Sequence, residues 1–247
     1  GVGIGTTAND MDVTTAEFSL ITASGMTLGS TGINTGIKIV GVTAARSNTI
    51  NGILTLLTTV DDSTISFLTT SSTFHTLVVQ ADNGIEIKAD ISTTTGMINL
   101  DADLDNAADP DNKISVTDGR TVTSETLLTL EATTGSITHA GRITLKAGYG
   151  IVILDDMTGT ASGKSVVINS DFDSAGDGTV TVTATKTVTT GNSDALVTAW
   201  DIDFAGSLDA GTSEVSFHGA KLDQTLGLGG TAKDMHVTDA ELARVTG

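Results

Sequence analysis

The sequence predicts an all-β chain wound into a parallel β-helix, a β-solenoid with short helical or turn-like interruptions. Three observations carry that expectation. The 247 residues include 45 Thr and 28 Gly but one Pro, no Cys and 3% aromatic residues, a makeup suited to pleated strands joined by tight turns. A six-residue phrase, apolar at its first and third positions and small at its fifth, keeps returning through the middle of the chain. The last 22 residues also repeat the first: residues 226–247 align without a gap on residues 2–23, at a constant offset of 224. Internal repetition outranks other signals because it decides architecture, and a chain that ends as it began reads as one period, with overlap, of a longer array.

Three segments follow from the repeat: a junction motif over residues 1–25, a solenoid body over 26–225, and a second copy of the motif over 226–247 that starts the next period. Eleven of the 22 aligned pairs are identical, and Val2/Leu226, Ile4/Leu228, Phe18/Leu242 and Ile21/Val245 exchange one apolar residue for another. Thr14-Thr15-Ala16-Glu17 and Thr238-Asp239-Ala240-Glu241 both read Thr-x-x-Glu, a capping box that satisfies two donors of a helix start. The spacing predicts one or two helical turns in each copy.

In the body the phrase occurs at 77–82 (LVVQAD), 98–103 (INLDAD), 128–133 (LTLEAT), 143–148 (ITLKAG), 166–171 (VVINSD) and 180–185 (VTVTAT). Alternation of period two marks strands with one apolar face, and their starts are spaced by about 20 residues on average. Gly, Asp, Asn or Ser follows each strand within a few residues, supplying turns. Antiparallel sandwiches and a parallel β-helix both fit such a pattern. Inward residues that recur in one order, closing on Ala or Ser as at the corner of a coil, favour the β-helix. Val79, Leu100, Leu130, Leu145, Ile168 and Val182 are then core positions. At about 4.8 Å per coil, one period is expected to extend about 50 Å.

Residues 227–230 through 235–242 (GLGG…MHVTDAEL) and 200–211 (WDIDFAGSLDAG) resemble the filamentous haemagglutinin-like exoproteins, large bacterial surface proteins and adhesins, often exported by two-partner secretion. The resemblance implies a right-handed parallel β-helix, a structural role and a place at the cell surface or outside the cell.

Charge and composition exclude several functions. Thirty acidic against 12 basic residues give a formal charge of −18, opposing nucleic-acid binding and anionic membrane surfaces while attracting divalent cations. Zero Cys removes disulfides, thiolate metal sites and thiol catalysis. No run approaches the roughly 20 apolar residues of a membrane span. With no Met or signal-peptide pattern at its start, the sequence reads as a mature or excised segment.

Chemistry-bearing patterns are few. Alternating carboxylates precede a turn and a strand twice, with Asp101, Asp103, Asp105 and Asp109 in the first segment and Asp171, Asp173 and Asp177 in the second. Oxygen donors at alternate positions suit Ca²⁺, which makes these seven the candidate metal ligands and calcium the candidate cofactor. Asx-turns, in which such side chains bond their own backbone, are the competing account. His75, His139, His218 and His236 are scattered singly without a zinc-binding spacing. Asp61-Asp62 and Asp155-Asp156 offer paired acids for glycoside cleavage, yet Trp200 and Tyr149 alone could stack a sugar through a ring with a polar handle. Thr-x-Thr runs at 121–123, 179–183 and 185–187 lack the fixed coil interval that an ice-binding face needs.

The expected function is a structural, non-catalytic segment of a repetitive extracellular or cell-surface bacterial fibre or adhesin, self-associating with identical repeats or subunits, with surface glycans as further candidate partners. A carbohydrate-binding or polysaccharide-cleaving β-helix module is the alternative.

Overall fold

A computed structural model describes residues 1–5 and 9–247; residues 6–8 of the first junction copy lie outside the described residues. One coil shows how the chain winds. Thr76–Ala81 turns through Asp82, Asn83 and Gly84 into Ile85–Ile87. The chain then passes through residues 88–90 into Ile91–Thr93 and through 94–97 into Ile98–Asp101, beside Thr76–Ala81 again. Repeating this path produces three sheets of eight, eleven and seven strands among the described residues, paired in parallel with the coil before and the coil after. This is the parallel β-helix that the period-two phrases predict.

Alternation puts Leu77, Val79 and Ala81 inside and leaves Thr76, Val78 and Gln80 half-buried on the outer face. Inward residues then stack in columns: Leu77, Ile98, Leu128, Ile151, Val180 and Ile202 in one, Val79, Leu100, Leu130, Ile153, Val182 and Phe204 in the next. The six expected core positions, Val79, Leu100, Leu130, Leu145, Ile168 and Val182, are each at most 2% exposed. Truncating any of them to Ala costs about 2–5 kcal/mol. Ala81, Ala102, Ala132, Ala147 and Ser170 close their strands as fully buried corner residues. At the corner after Ala81, Gly84 has φ +107°, and a β-carbon there would lie 2.6 Å from the Asp111 carbonyl oxygen of the next coil. Only glycine turns that corner at such an approach.

Coil length differs from the sequence expectation. The phrases at 143 and 166 form Ile143–Ala147 and Val166–Asn169 in the seven-stranded sheet, whereas those at 77, 98, 128 and 180 belong to the eight-stranded sheet. The 20-residue step therefore mixes two faces of the coil. Within one sheet the register advances by 21 residues from Leu77 to Ile98 and by 30 from Ile98 to Leu128. Between Met26 and Ile202 the mean is about 25. Both Asp-rich segments sit where a coil lengthens, between Ile98–Asp101 and Lys113–Val116 and between Val166–Asn169 and Thr179–Val182. The eleven strands of the longest sheet span about 48 Å at 4.8 Å each.

Candidate metal site and repeat junction

The two copies of the junction motif fold alike. In the first, Val2–Gly5 pairs in parallel with Met11–Val13, and in the second Leu226–Leu228 pairs with Met235–Val237 in the same register. A single helical turn follows each, Thr15–Phe18 and Asp239–Leu242, and each carries the complete capping box with Thr14 or Thr238. These are the helical interruptions that Thr-x-x-Glu predicts.

Their surroundings are opposite. In the first copy Val2 and Ile4 are at most 5% exposed because Val2–Gly5 also pairs with Gly36–Val40 of the following coil, and Phe18 is fully buried on a helical turn that packs on the turn Ala44–Ser47. Their counterparts Leu226, Leu228 and Leu242 are exposed by 46%, 63% and 48%. Conversely, Met11 is 55% exposed and Glu17 is exposed, while their counterparts Met235 and Glu241 are buried against Asp201–Phe204 of the preceding coil. His236 N–H donates to Asp201 Oδ1 at 3.0 Å, Phe204 N–H to Glu241 Oε1 at 3.3 Å, and Arg244 Nη1 to the Phe204 carbonyl at 2.8 Å. The side left open in each copy is thus the side that is covered in the other. One position breaks the correspondence: Arg244 matches Leu20, which is 82% exposed.

The two Asp-rich loops also share one geometry. Asp103 N–H donates to Asp101 Oδ1 at 3.2 Å, and Asp171 N–H to Asn169 Oδ1 at 3.3 Å. Ala107 N–H donates to Asp105 Oδ1, as Ala175 N–H does to Asp173 Oδ1. Asn106 N–H reaches the Asp103 carbonyl and Ser174 N–H the Asp171 carbonyl, both at 3.1 Å, and Asn106 and Ser174 take φ of +57° and +59°. These are Asx-type turns, set on different sheets of the solenoid.

What surrounds the central carboxylate separates the loops. Asp103, 1% exposed, accepts from Asn112 Nδ2 at 3.0 Å through Oδ1 and from Thr134 N–H through Oδ2, so its own chain satisfies both oxygens. Asp171, also 1% exposed, accepts from Gly176 N–H at 3.0 Å through Oδ2, and its Oδ1 has no hydrogen-bond partner among the described residues. The neck of this loop is pinched shut, Ser170 Oγ donating to the Gly178 carbonyl at 2.9 Å. Carboxylate oxygens of Asp171, Asp173 and Asp177 come within 4.8 Å of one another, the one such acidic group among the described residues. Asp101, Asp103, Asp105 and Asp109 do not converge in this way. Burial, and after it the neighbouring Asp173 carboxylate, raises the Asp171 pKa above the usual carboxylate range.

Other candidates are absorbed into the scaffold. Asp155 accepts from Lys186 Nζ at 2.6 Å and from Ala132 N–H at 2.7 Å, and Asp156 accepts from Thr187 N–H at 2.8 Å. Asp62 accepts from Asn83 Nδ2 at 3.0 Å. Asp82 differs: it is buried with Oδ2 unpartnered among the described residues, and its pKa is raised by that burial first and then by Asp105, Asp61 and Asp109. Outward columns on the eight-stranded sheet mix Thr55, Val78, Asn99, Thr129 and Val152, not an unbroken rank of Thr.

No protein-family model matches the chain, and neither a curated protein nor a solved structure does.

Proposed function

We propose that the chain is a structural, non-catalytic segment of a repetitive bacterial fibre or adhesin, filamentous haemagglutinin-like in kind, displayed at the cell surface or outside the cell. The observation that carries this reading is the complementary burial of the two junction copies: Met11 and Glu17 are open where Met235 and Glu241 are covered, and Leu226, Leu228 and Leu242 are open where Val2, Ile4 and Phe18 are covered. Superimposed, the two half-covered motifs make one junction with both its Met–Glu side and its apolar side covered, so the partner at each end is another copy of the same period. A solenoid that continues through such a junction leaves no open sheet edge inside the rod.

Supporting it, Asp155 and Asp156 already bind backbone amides and Lys186, an arrangement suited to holding coils in place. A charge of −18 keeps neighbouring rods apart laterally while end-to-end growth continues. Ten strand spacings per period correspond to an axial repeat of about 50 Å. Electron microscopy of native cell-surface material tests the proposal: thin filaments with that repeat are expected, and compact particles without any tandem array contradict it.

A further inference from the structure

We infer that the loop from Asp171 to Asp177 is a Ca²⁺ site, with Asp171 as its buried anchor and Asp173 and Asp177 as its solvent-facing ligands. Three oxygens within 4.8 Å of one another fit around a single ion whose metal–oxygen distances are about 2.3–2.6 Å, since two opposite ligands then stand about 4.8 Å apart. The exposure of Asp173 and Asp177 leaves room for the waters that bring Ca²⁺ to six or more ligands. An all-carboxylate set without His or Cys suits a hard cation and not zinc.

The buried oxygen supplies the independent reason. Among the described residues Asp171 Oδ1 has no hydrogen-bond donor, the Asp171 carboxyl meets the like-charged Asp173, and a buried carboxylate oxygen left so is costly. No ion pair among the described residues involves Asp171, Asp173 or Asp177. Two lysines touch the loop without pairing with its carboxylates: Lys221 Nζ donates to the Ala175 carbonyl at 3.3 Å, and Lys146 Nζ lies 5.1 Å from the centre of the Phe172 ring. The loop around Asp103 acts as an internal control. With the same turn and the same burial, its central carboxylate has both oxygens taken by Asn112 and Thr134.

The single Trp of the chain makes the test direct. Trp200 lies beside the loop, its ring 3.3 Å from where a β-carbon on Gly176 would sit. Tb³⁺, a luminescent stand-in for Ca²⁺, is titrated into the full chain with excitation of Trp200. Sensitised emission that saturates and is displaced by Ca²⁺ is expected. It should disappear in Asp171→Asn, weaken at least tenfold in half-saturation in Asp177→Ala, whose exposed side chain leaves the fold intact, and persist unchanged in Asp103→Asn. Absence of emission, or emission unaltered in Asp177→Ala, would overturn the assignment.

Discussion

The carboxylate of Glu241 binds the Phe204 amide at 3.3 Å through Oε1 while its Oε2 closes the capping box with Thr238. One side chain thereby fixes a helical turn and fastens it to the coil beneath. Glu17, its counterpart in the first copy, makes the Thr14 box alone. Replacing Glu241 by Ala removes a cap worth about 1 kcal/mol and strands a buried amide at about 1–3 kcal/mol. Glu241→Ala should therefore lower the melting temperature more than Glu17→Ala and deprotect the Phe204 amide in hydrogen exchange. Equal effects of the two substitutions would count against a fastening role.

Asp101 stacks between Gln80 and Glu131. Burial, followed by the Glu131 and Asp103 carboxylates, pushes its pKa up to about 6. Because the folded value lies above the unfolded one of about 3.9, the native state holds the proton longer, and stability falls as pH rises from about 4 through 6. Asp101→Asn should melt higher than the wild type at pH 7 and about the same at pH 4. The equivalent place in the second loop already holds Asn169, accepting the same turn amide. A variant that melts lower at pH 7 would refute this.

His139 gives the opposite slope. It is 1% exposed, with Nδ1 2.7 Å from the Gly141 carbonyl and Nε2 buried without a partner among the described residues, and burial lowers its pKa. A neutral ring contributes full stability above the unfolded pKa of about 6.5, and that contribution is lost as pH falls below it. Thermal melts of wild type and His139→Gln from pH 7.5 to 5 should show the wild type losing more on acidification. Parallel curves would show that His139 does not titrate as burial requires.

The fold is legible in the sequence because a solenoid stacks like on like. Val79, Leu100, Leu130 and Val182 recur at the same place in a phrase, and that place is one inward column. Sheet membership is not legible: all three faces of a coil share period two, so nothing local separates Leu145 and Ile168 from Leu130. The candidate metal site is legible only in part. Asp103 and Asp171 occupy similar sequence patterns, and the difference between them is made by Asn112 and Thr134, the latter brought beside Asp103 from 31 residues along the chain. The repeat could have pointed to the junction residues, since Met11/Met235 and Glu17/Glu241 are identical pairs, but which side of each is covered depends on coils that local patterns do not reveal.

The continuity of the rod through its junction is tested most directly by hydrogen exchange on a longer polypeptide, the full chain followed in frame by a further copy of residues 24–247. The second copy of the motif then precedes the counterpart of Gly36–Val40, the strand that covers Val2–Gly5 in the first copy. Residues 226–242 should become as protected as residues 2–5 and 11–18 are on their covered side, with the exposed Leu226, Leu228 and Leu242 buried. Exchange in 226–242 as fast as in the 247-residue chain would mean that successive periods are separate modules, and would contradict a stacked junction even if the native material is fibrous.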